Sequence, residues 1–269
     1  MRVWLNGALV ADSAARVDPA DRGFTLGDGL FETIRVAEGR ACHLDRHFAR
    51  LRAGLDLLDL ALPWDEATLG MGMAALVGMA GLTAGALRLT VSRGPAPRGL
   101  LPPERPAPTV LITVSPPAPA HGPVRAVIAR GTRRNEHSPL SRVKALSALD
   151  LVLARQEAAR AGADDALLLN TAGRLAEASY ANLFLVLDGQ LLTPPAAEGA
   201  LPGIRRGLIL ESGAASERPL AEKDISRASE ILLTNSLGVR AVVAVDGRPV
   251  GDGMPGPVFR QLAERTAAA

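Results

Sequence analysis

The chain has 269 residues, 48% hydrophobic and 22% charged, a balance that suits a folded globular protein and excludes a disordered one. A formal net charge of only +2 and an aromatic content of 3% leave little electrostatic pull on nucleic acid and few rings on which single strands could stack, so no nucleic-acid partner is expected. Cys42 is the only cysteine, which excludes an internal disulfide and a cysteine-rich metal site; no metal is expected. The polar Asn6-Gly7 comes too early for a signal peptide and no apolar run reaches membrane-spanning length, so the expectation is a cytoplasmic protein without a membrane partner.

Residues 2–10 read as two strands around an Asn6-Gly7 turn, a strong hairpin signal. In Asp21-Arg22-Gly23-Phe24-Thr25-Leu26-Gly27-Asp28-Gly29-Leu30-Phe31-Glu32, glycines precede an alternating run, which predicts a glycine-rich turn entering a strand. Neither the dinucleotide nor the P-loop spacing is present. Residues 44–60 carry an apolar stripe of Leu44, Phe48, Leu51, Leu55 and Leu58 at helical spacing. On that helix His47 and Arg50 lie three apart, with Arg50 able to project from its edge. A second helix is expected from Asp65 as N-cap to Gly81, and strands over 86–92 and 109–115. The loop between those strands holds Arg93 and Arg98. Ser115-Pro116-Pro117-Ala118-Pro119-Ala120-His121-Gly122-Pro123, with four prolines, cannot sustain a helix or a central strand. This places a domain of residues 1–115 before a linker at 116–123 and a second domain at 124–269.

The second half reads as a strand (124–130), an Arg/Asn/His segment, a helix to about Ala161, and strands over 163–170, 174–178 and 183–187. Asp188-Gly189 marks another hairpin. Leu201-Pro202-Gly203-Ile204 opens a helix, with proline suited to a first turn and free N–H groups available to an anion. Strands over 230–236 and 239–245 flank Thr234-Asn235-Ser236, and a last helix covers 255–266.

The chain has 28 arginines but only two lysines, Lys144 and Lys223. A lysine in so arginine-rich a chain marks a place where arginine cannot serve, and what arginine cannot do is lose a proton and attack a carbonyl. Lys144 has apolar neighbours (Val143, Ala145, Leu146) and a basic approach (Arg133, Arg134, Arg142), both of which favour the neutral amine. Lys223, in Glu222-Lys223-Asp224, reads as a solvated surface residue. A lysine for an aldehyde, a carboxylate (Glu177) for a ring nitrogen, an arginine on a helix edge, a helix opening and a small-polar strand end together form the set that pyridoxal 5'-phosphate requires.

These segments, in this order, make the sequence resemble the class IV aminotransferases, the fold-type IV pyridoxal-phosphate enzymes. The resemblance covers about residues 1–250 and rests on Asp21-Arg22-Gly23 through Glu32, His47-x-x-Arg50-Leu51, Lys144, Glu177-Ala178-Ser179-x-x-Asn182-Leu183-Phe184, Leu201-Pro202-Gly203-Ile204 and Thr234-Asn235-Ser236. It implies an α/β (α+β) two-domain fold, a smaller N-terminal α/β domain and a larger C-terminal pseudo-barrel carrying the Schiff-base lysine, assembled as a homodimer. It further implies that Lys144 is the Schiff-base lysine and general acid/base, that Glu177 pairs with the pyridine nitrogen, and that Arg50 binds the phosphate. Gly203, Ile204 and Arg205 through their amides, with Thr234 and Asn235, would complete the phosphate cup, and Leu201 would pack on the ring.

Within the family the pattern is most similar to aminodeoxychorismate lyase. Arg205 stands where the aminotransferases usually carry threonine, Thr234-Asn235-Ser236-Leu237 runs into Gly238-Val239-Arg240, and Arg134-Asn135-Glu136-His137 resembles a lyase stretch. Arg98-Gly99-Leu100 lacks the histidine that D-amino-acid enzymes carry after that arginine. Against this, the Lys-His-Leu-Asn often found around the lyase lysine reads Lys144-Ala145-Leu146-Ser147. The implied activity is conversion of 4-amino-4-deoxychorismate to 4-aminobenzoate and pyruvate. Arg98 and Arg134 are candidate clamps for this small anionic substrate, and Phe31 a candidate wall. The alternatives are transamination of D- or branched-chain amino acids with a 2-oxo acid, and a cofactor-free binding protein on the same fold.

Overall fold

The computed structural model describes residues 1–119 and 122–267. The chain forms two compact units, Met1–Pro119 with Val143–Ser147, and Ala120–Arg142 with Ala148–Ala269. The expected linker at 116–123 includes Ala120 and His121, which lie outside the described residues.

In the first unit, β1 (Arg2–Leu5) and β2 (Ala8–Ala11) form the expected hairpin, with Asn6 and Gly7 both at positive φ, 48° and 91°. The segment expected as a turn is instead a short helix, α1 (Arg22–Leu26). Asp21 caps it by accepting the Gly23 amide at 2.7 Å, and Gly27 ends it in the left-handed conformation at φ 67°. Strands β3 (Gly29–Ala37), β4 (Arg40–Ala41), β5 (Ala84–Ser92) and β6 (Thr109–Ser115) complete an antiparallel sheet ordered β2-β1-β6-β5-β3-β4. Helices α2 (Leu44–Leu57) and α3 (Glu66–Ala80) cover one face of it. Trp4, Ile34, Phe48, Leu51, Met73, Leu89 and Ile112 belong to this unit's single core. Asp65 caps α3 through the Thr68 amide at 2.8 Å and Gly81 closes it, as the sequence predicts.

Val143–Ser147 packs with this first unit rather than with the second-half segments to which the sequence assigns it. The cause is backbone pairing along the start of β3, where Phe31 N donates to Lys144 O at 2.9 Å and Leu146 N donates to Gly29 O at 2.9 Å. A Cβ on Gly29 would lie 2.2 Å from the Val91 carbonyl and 2.8 Å from the Leu146 side chain, so this approach requires glycine.

The second unit begins with β7 (Val124–Ile128), α4 (Leu149–Arg160), β8 (Asp165–Leu169), β9 (Leu175–Ala178), β10 (Asn182–Leu187) and β11 (Gln190–Thr193). It continues with α5 (Ile204–Glu211), β12 (Ser216–Glu217), β13 (Glu230–Asn235), β14 (Gly238–Val245), β15 (Arg248–Pro249) and α6 (Pro257–Ala267). The sheet runs β12-β11-β10-β13-β14-β7-β8-β9, with β15 on β14. Side chains from β7 through β14, among them Ile128, Leu167, Ala178, Leu183, Leu192, Leu233 and Val242, meet in one apolar cluster. A sheet whose distant strands share one interior must be curled, and it forms a half-barrel. Outside that cluster α4 packs Ala154 with Leu168 of β8, and α5 and α6 pack Ile209 and Leu262 with Phe184 of β10 and Leu232 of β13. No helix among the described residues is long and apolar enough to cross a membrane.

Candidate active site

In the first unit, β3 alternates as its sequence predicts: Glu32, Ile34 and Val36 face the core at 1%, 0% and 1% exposure. A carboxylate buried among apolar side chains must be compensated. Arg50 on α2 supplies a two-pronged pair, Nε to Oε1 at 2.8 Å and Nη2 to Oε2 at 2.6 Å. His47 adds a third bond, its Nδ1 lying 2.6 Å from Oε2. Burial pushes the Glu32 carboxyl up, but the hydrogen bonds and charges of Arg50 and His47 outweigh it and hold the group below the usual carboxylate range.

The opposite face of β3 carries Phe31. The Lys144 Nζ lies 4.3 Å from that ring's centroid and the Arg88 guanidinium 4.0 Å from it. The structure therefore brings Phe31 and Lys144 into contact and adds Arg88 over the same ring. The 3.6-residue pattern and motif spacing gave no sign of Arg88, which reaches Phe31 from β5, where Thr90 is the residue paired with Phe31. Arg98 stands exposed in the loop after β5.

In the second unit, Glu177 is 5% exposed near the end of β9. Its Oε2 accepts the Leu201 amide at 3.0 Å and its Oε1 pairs with Arg134 Nε at 2.9 Å. Asn182 holds the other side of the same turn, donating Nδ2 to the Leu201 carbonyl at 2.8 Å. Arg134 was expected as a substrate clamp, but the structure gives its guanidinium other work. Besides Glu177 it bonds the Gly199 carbonyl at 3.1 Å, Asp150 at 2.7 Å and the Ser141 carbonyl at 3.2 Å. With these donors spent inside the unit and 8% exposure, Arg134 serves to hold Glu177 and the 199–201 turn.

Leu201-Pro202-Gly203 leads into α5, and Gly203 provides no side-chain cap for the first-turn amides of Ile204 and Arg205. Arg205 Nε donates to the Asn235 carbonyl at 3.2 Å and its Nη1 to Thr266 at 2.9 Å, which sets α5's first turn beside the end of β13. There Thr234 is 1% exposed, and its Oγ1 has no hydrogen-bond partner among the described residues. Asn235 Oδ1 accepts the Leu237 and Gly238 amides at 2.9 and 3.2 Å, so this side chain shapes the turn. A helix start without a side-chain cap and the buried Thr234 hydroxyl, unpartnered among the described residues, fit the phosphate of pyridoxal 5'-phosphate. Among the described residues no group of histidine, cysteine, aspartate and glutamate could hold a metal ion.

Three residues escaped the sequence reading as site components: Glu32, Arg88 and Asn182. Glu32 and Asn182 lie inside quoted motifs, and a charged residue on a strand's core face was the available signal for Glu32.

The sequence matches the family model for amino-transferase class IV over residues 29–245. It is 32% identical to the D-alanine aminotransferase of Bacillus licheniformis, over 97% of this chain and 94% of that one. The crystal structure of 4-amino-4-deoxychorismate lyase from Pseudomonas aeruginosa is similar at 34% identity with a TM-score of 0.83, covering 98% of this chain and 97% of that one. Branched-chain amino acid aminotransferase from Escherichia coli is similar at 26% identity with a TM-score of 0.91, covering 97% of this chain and 91% of that one.

Proposed function

This chain belongs to the class IV aminotransferase family, whose enzymes depend on pyridoxal 5'-phosphate, and on that premise we propose that it is a 4-amino-4-deoxychorismate lyase. The observation that carries this reading is Arg205. Its side chain is turned to Asn235 and Thr266, so α5 offers backbone amides and no first-turn hydroxyl at the position where the aminotransferases usually place threonine. The 34% identity to the Pseudomonas lyase over nearly the whole of both chains supports it.

When bound, the cofactor supplies an electron sink for the carbon that bears the substrate amine. The Lys144 amine takes the proton from C4 of the substrate. The C3–O bond to the enolpyruvyl group would then break, the ring would become aromatic, and the departing enolate would take up the proton that Lys144 removed to become pyruvate. Glu177, fixed by Arg134 and the Leu201 amide, would pair with the ring nitrogen. Arg50, Thr234 and the α5 amides would hold the phosphate, Phe31 would form a wall beside Lys144, and Arg98 would receive a substrate carboxylate. We further propose that the enzyme is a cytoplasmic homodimer; light scattering of the purified protein tests the oligomeric state.

The second reading, transamination, is favoured by the 32% identity to a D-alanine aminotransferase. The two separate in one experiment, in which purified enzyme is given either 4-amino-4-deoxychorismate or a D- or branched-chain amino acid with 2-oxoglutarate. Release of 4-aminobenzoate with negligible amino transfer is the expected result. Rapid amino transfer without 4-aminobenzoate would sink the lyase assignment.

A further inference from the structure

We infer that Arg22 is a positioning residue for substrate recognition, setting the place of the 98–101 loop and, through it, of Arg98. The inference rests on the proposed role of Arg98.

Arg22 opens α1 and its side chain is only 5% exposed. Its Nε donates to Asp28 at 2.7 Å, and the rest of the guanidinium points at the carbonyls of one short loop segment. Nη1 donates to Gly99 O at 2.8 Å and Leu101 O at 3.4 Å, and Nη2 to Leu100 O at 2.8 Å. The backbone of the same residue holds the loop's near end, Arg22 N donating to Gly94 O at 2.9 Å. Arg98 lies between these two attachments, bracketed by a single residue.

On the near side of Arg98 the loop has one further backbone tie, Ala96 N donating to Ala20 O at 3.3 Å. On the far side Pro102 and Pro103 contribute no N–H, and Leu100 and Leu101 are 82% and 88% exposed, so the side chains of Leu100 and Leu101 do not anchor this stretch. Three consecutive carbonyls arranged around one cation demand a planar fork with several donors, which lysine lacks. Asp28 completes the device. Its Oδ2 also accepts Arg93 Nε at 2.8 Å, while Arg93 Nη2 binds the Leu58 carbonyl at 2.7 Å, which ties the clamp to the end of α2. The motif Asp21-Arg22-Gly23 through Asp28 thereby gains a purpose that catalysis alone did not give it.

The test uses the cofactor-loaded enzyme as wild type, Arg22→Lys, Arg22→Gln, Arg98→Ala and the Arg22→Gln/Arg98→Ala double variant. For whichever of 4-amino-4-deoxychorismate or the amino acid with 2-oxoglutarate the wild type turns over, KM and kcat are measured separately. Tryptic cleavage at Arg98–Gly99 is followed by mass spectrometry as a readout independent of activity. Both Arg22 variants are expected to raise KM about tenfold with kcat within about twofold, and to hasten that cleavage. In the Arg98→Ala background the Arg22→Gln effect on KM should vanish, as it must when one residue acts through the other. A KM penalty of equal size in both backgrounds, hastened cleavage with unchanged KM, or a fall in kcat and melting temperature together would each overturn the inference. A wild type that turns over neither 4-amino-4-deoxychorismate nor the amino acid with 2-oxoglutarate overturns the functional reading itself, an outcome distinct from those three.

Discussion

At the scale of single residues, Glu32 shows how a site component can also govern stability. Its folded-state carboxyl is held below the usual range by Arg50 and His47. A carboxyl depressed in this way contributes stability that is present above its unfolded pKa, about 4.3, and is lost as pH falls through the lower folded value. Replacing it with glutamine takes the carboxylate charge away from the nearly buried Arg50 guanidinium, a defect that costs about 3 kcal/mol at pH 7. Urea midpoints for wild type and Glu32→Gln, measured from pH 7 to pH 3, should converge as the pH falls. Midpoints that stay equally far apart throughout would show that the ion pair is not the source of the difference. Arg134 carries the complementary lesson. Its place upstream of the lysine fits a substrate clamp as well as it fits a brace for Glu177, and only its partners distinguish the two.

At the scale of elements, the turn into α5 depends on one absent side chain. Gly203 has φ −71°, which any residue can adopt, yet a Cβ there would lie 1.9 Å from Asn182 Oδ1. The constraint is therefore steric and local, not conformational. Gly203→Ala must displace Asn182, release the Leu201 carbonyl and cost about 1–3 kcal/mol, as overpacking of a tight contact does. Adding Asn182→Ala removes the obstacle, so the double variant should be no less stable by urea unfolding than Asn182→Ala alone. A full additive penalty in the double variant would place the clash elsewhere. The elements themselves were largely foreseeable: Asp65 and Gly81 bound α3, and Asn6-Gly7 and Asp188-Gly189 turn hairpins, because caps and turns use local chemistry. The short helix α1 was not, because its glycines obscured the cap that Asp21 provides.

At the scale of the whole molecule, stability should respond to the cofactor. A ligand that binds only the folded state adds about 2.7 kcal/mol when present at one hundred times its dissociation constant. Thr234→Val isolates one part of that coupling. Removing a buried hydroxyl without a partner should leave the ligand-free protein unchanged or more stable by up to about 1 kcal/mol. The same change should weaken pyridoxal 5'-phosphate about tenfold, which removes about 1.4 kcal/mol of ligand-induced stabilisation at a fixed concentration. Thermal unfolding with and without cofactor measures both effects. Undiminished stabilisation of the variant would remove Thr234 from the phosphate cup.

Residue type and spacing alone were enough for the family, for Lys144, Glu177 and Arg50 as the residues to examine, and for the longer strands and helices, though not for α1, β4, β12 or β15. Periodicity, capping and the scarcity of lysine are properties of neighbouring residues along the chain. Only tertiary structure could tie the Lys144 segment to β3, assign Arg134 to Glu177, set Arg88 on Phe31 and aim Arg22 at three loop carbonyls. Each of these joins positions far apart in sequence, or turns on where one side chain points. Such partnerships follow from how strands pair and from which buried charge must be matched, and no local pattern encodes them.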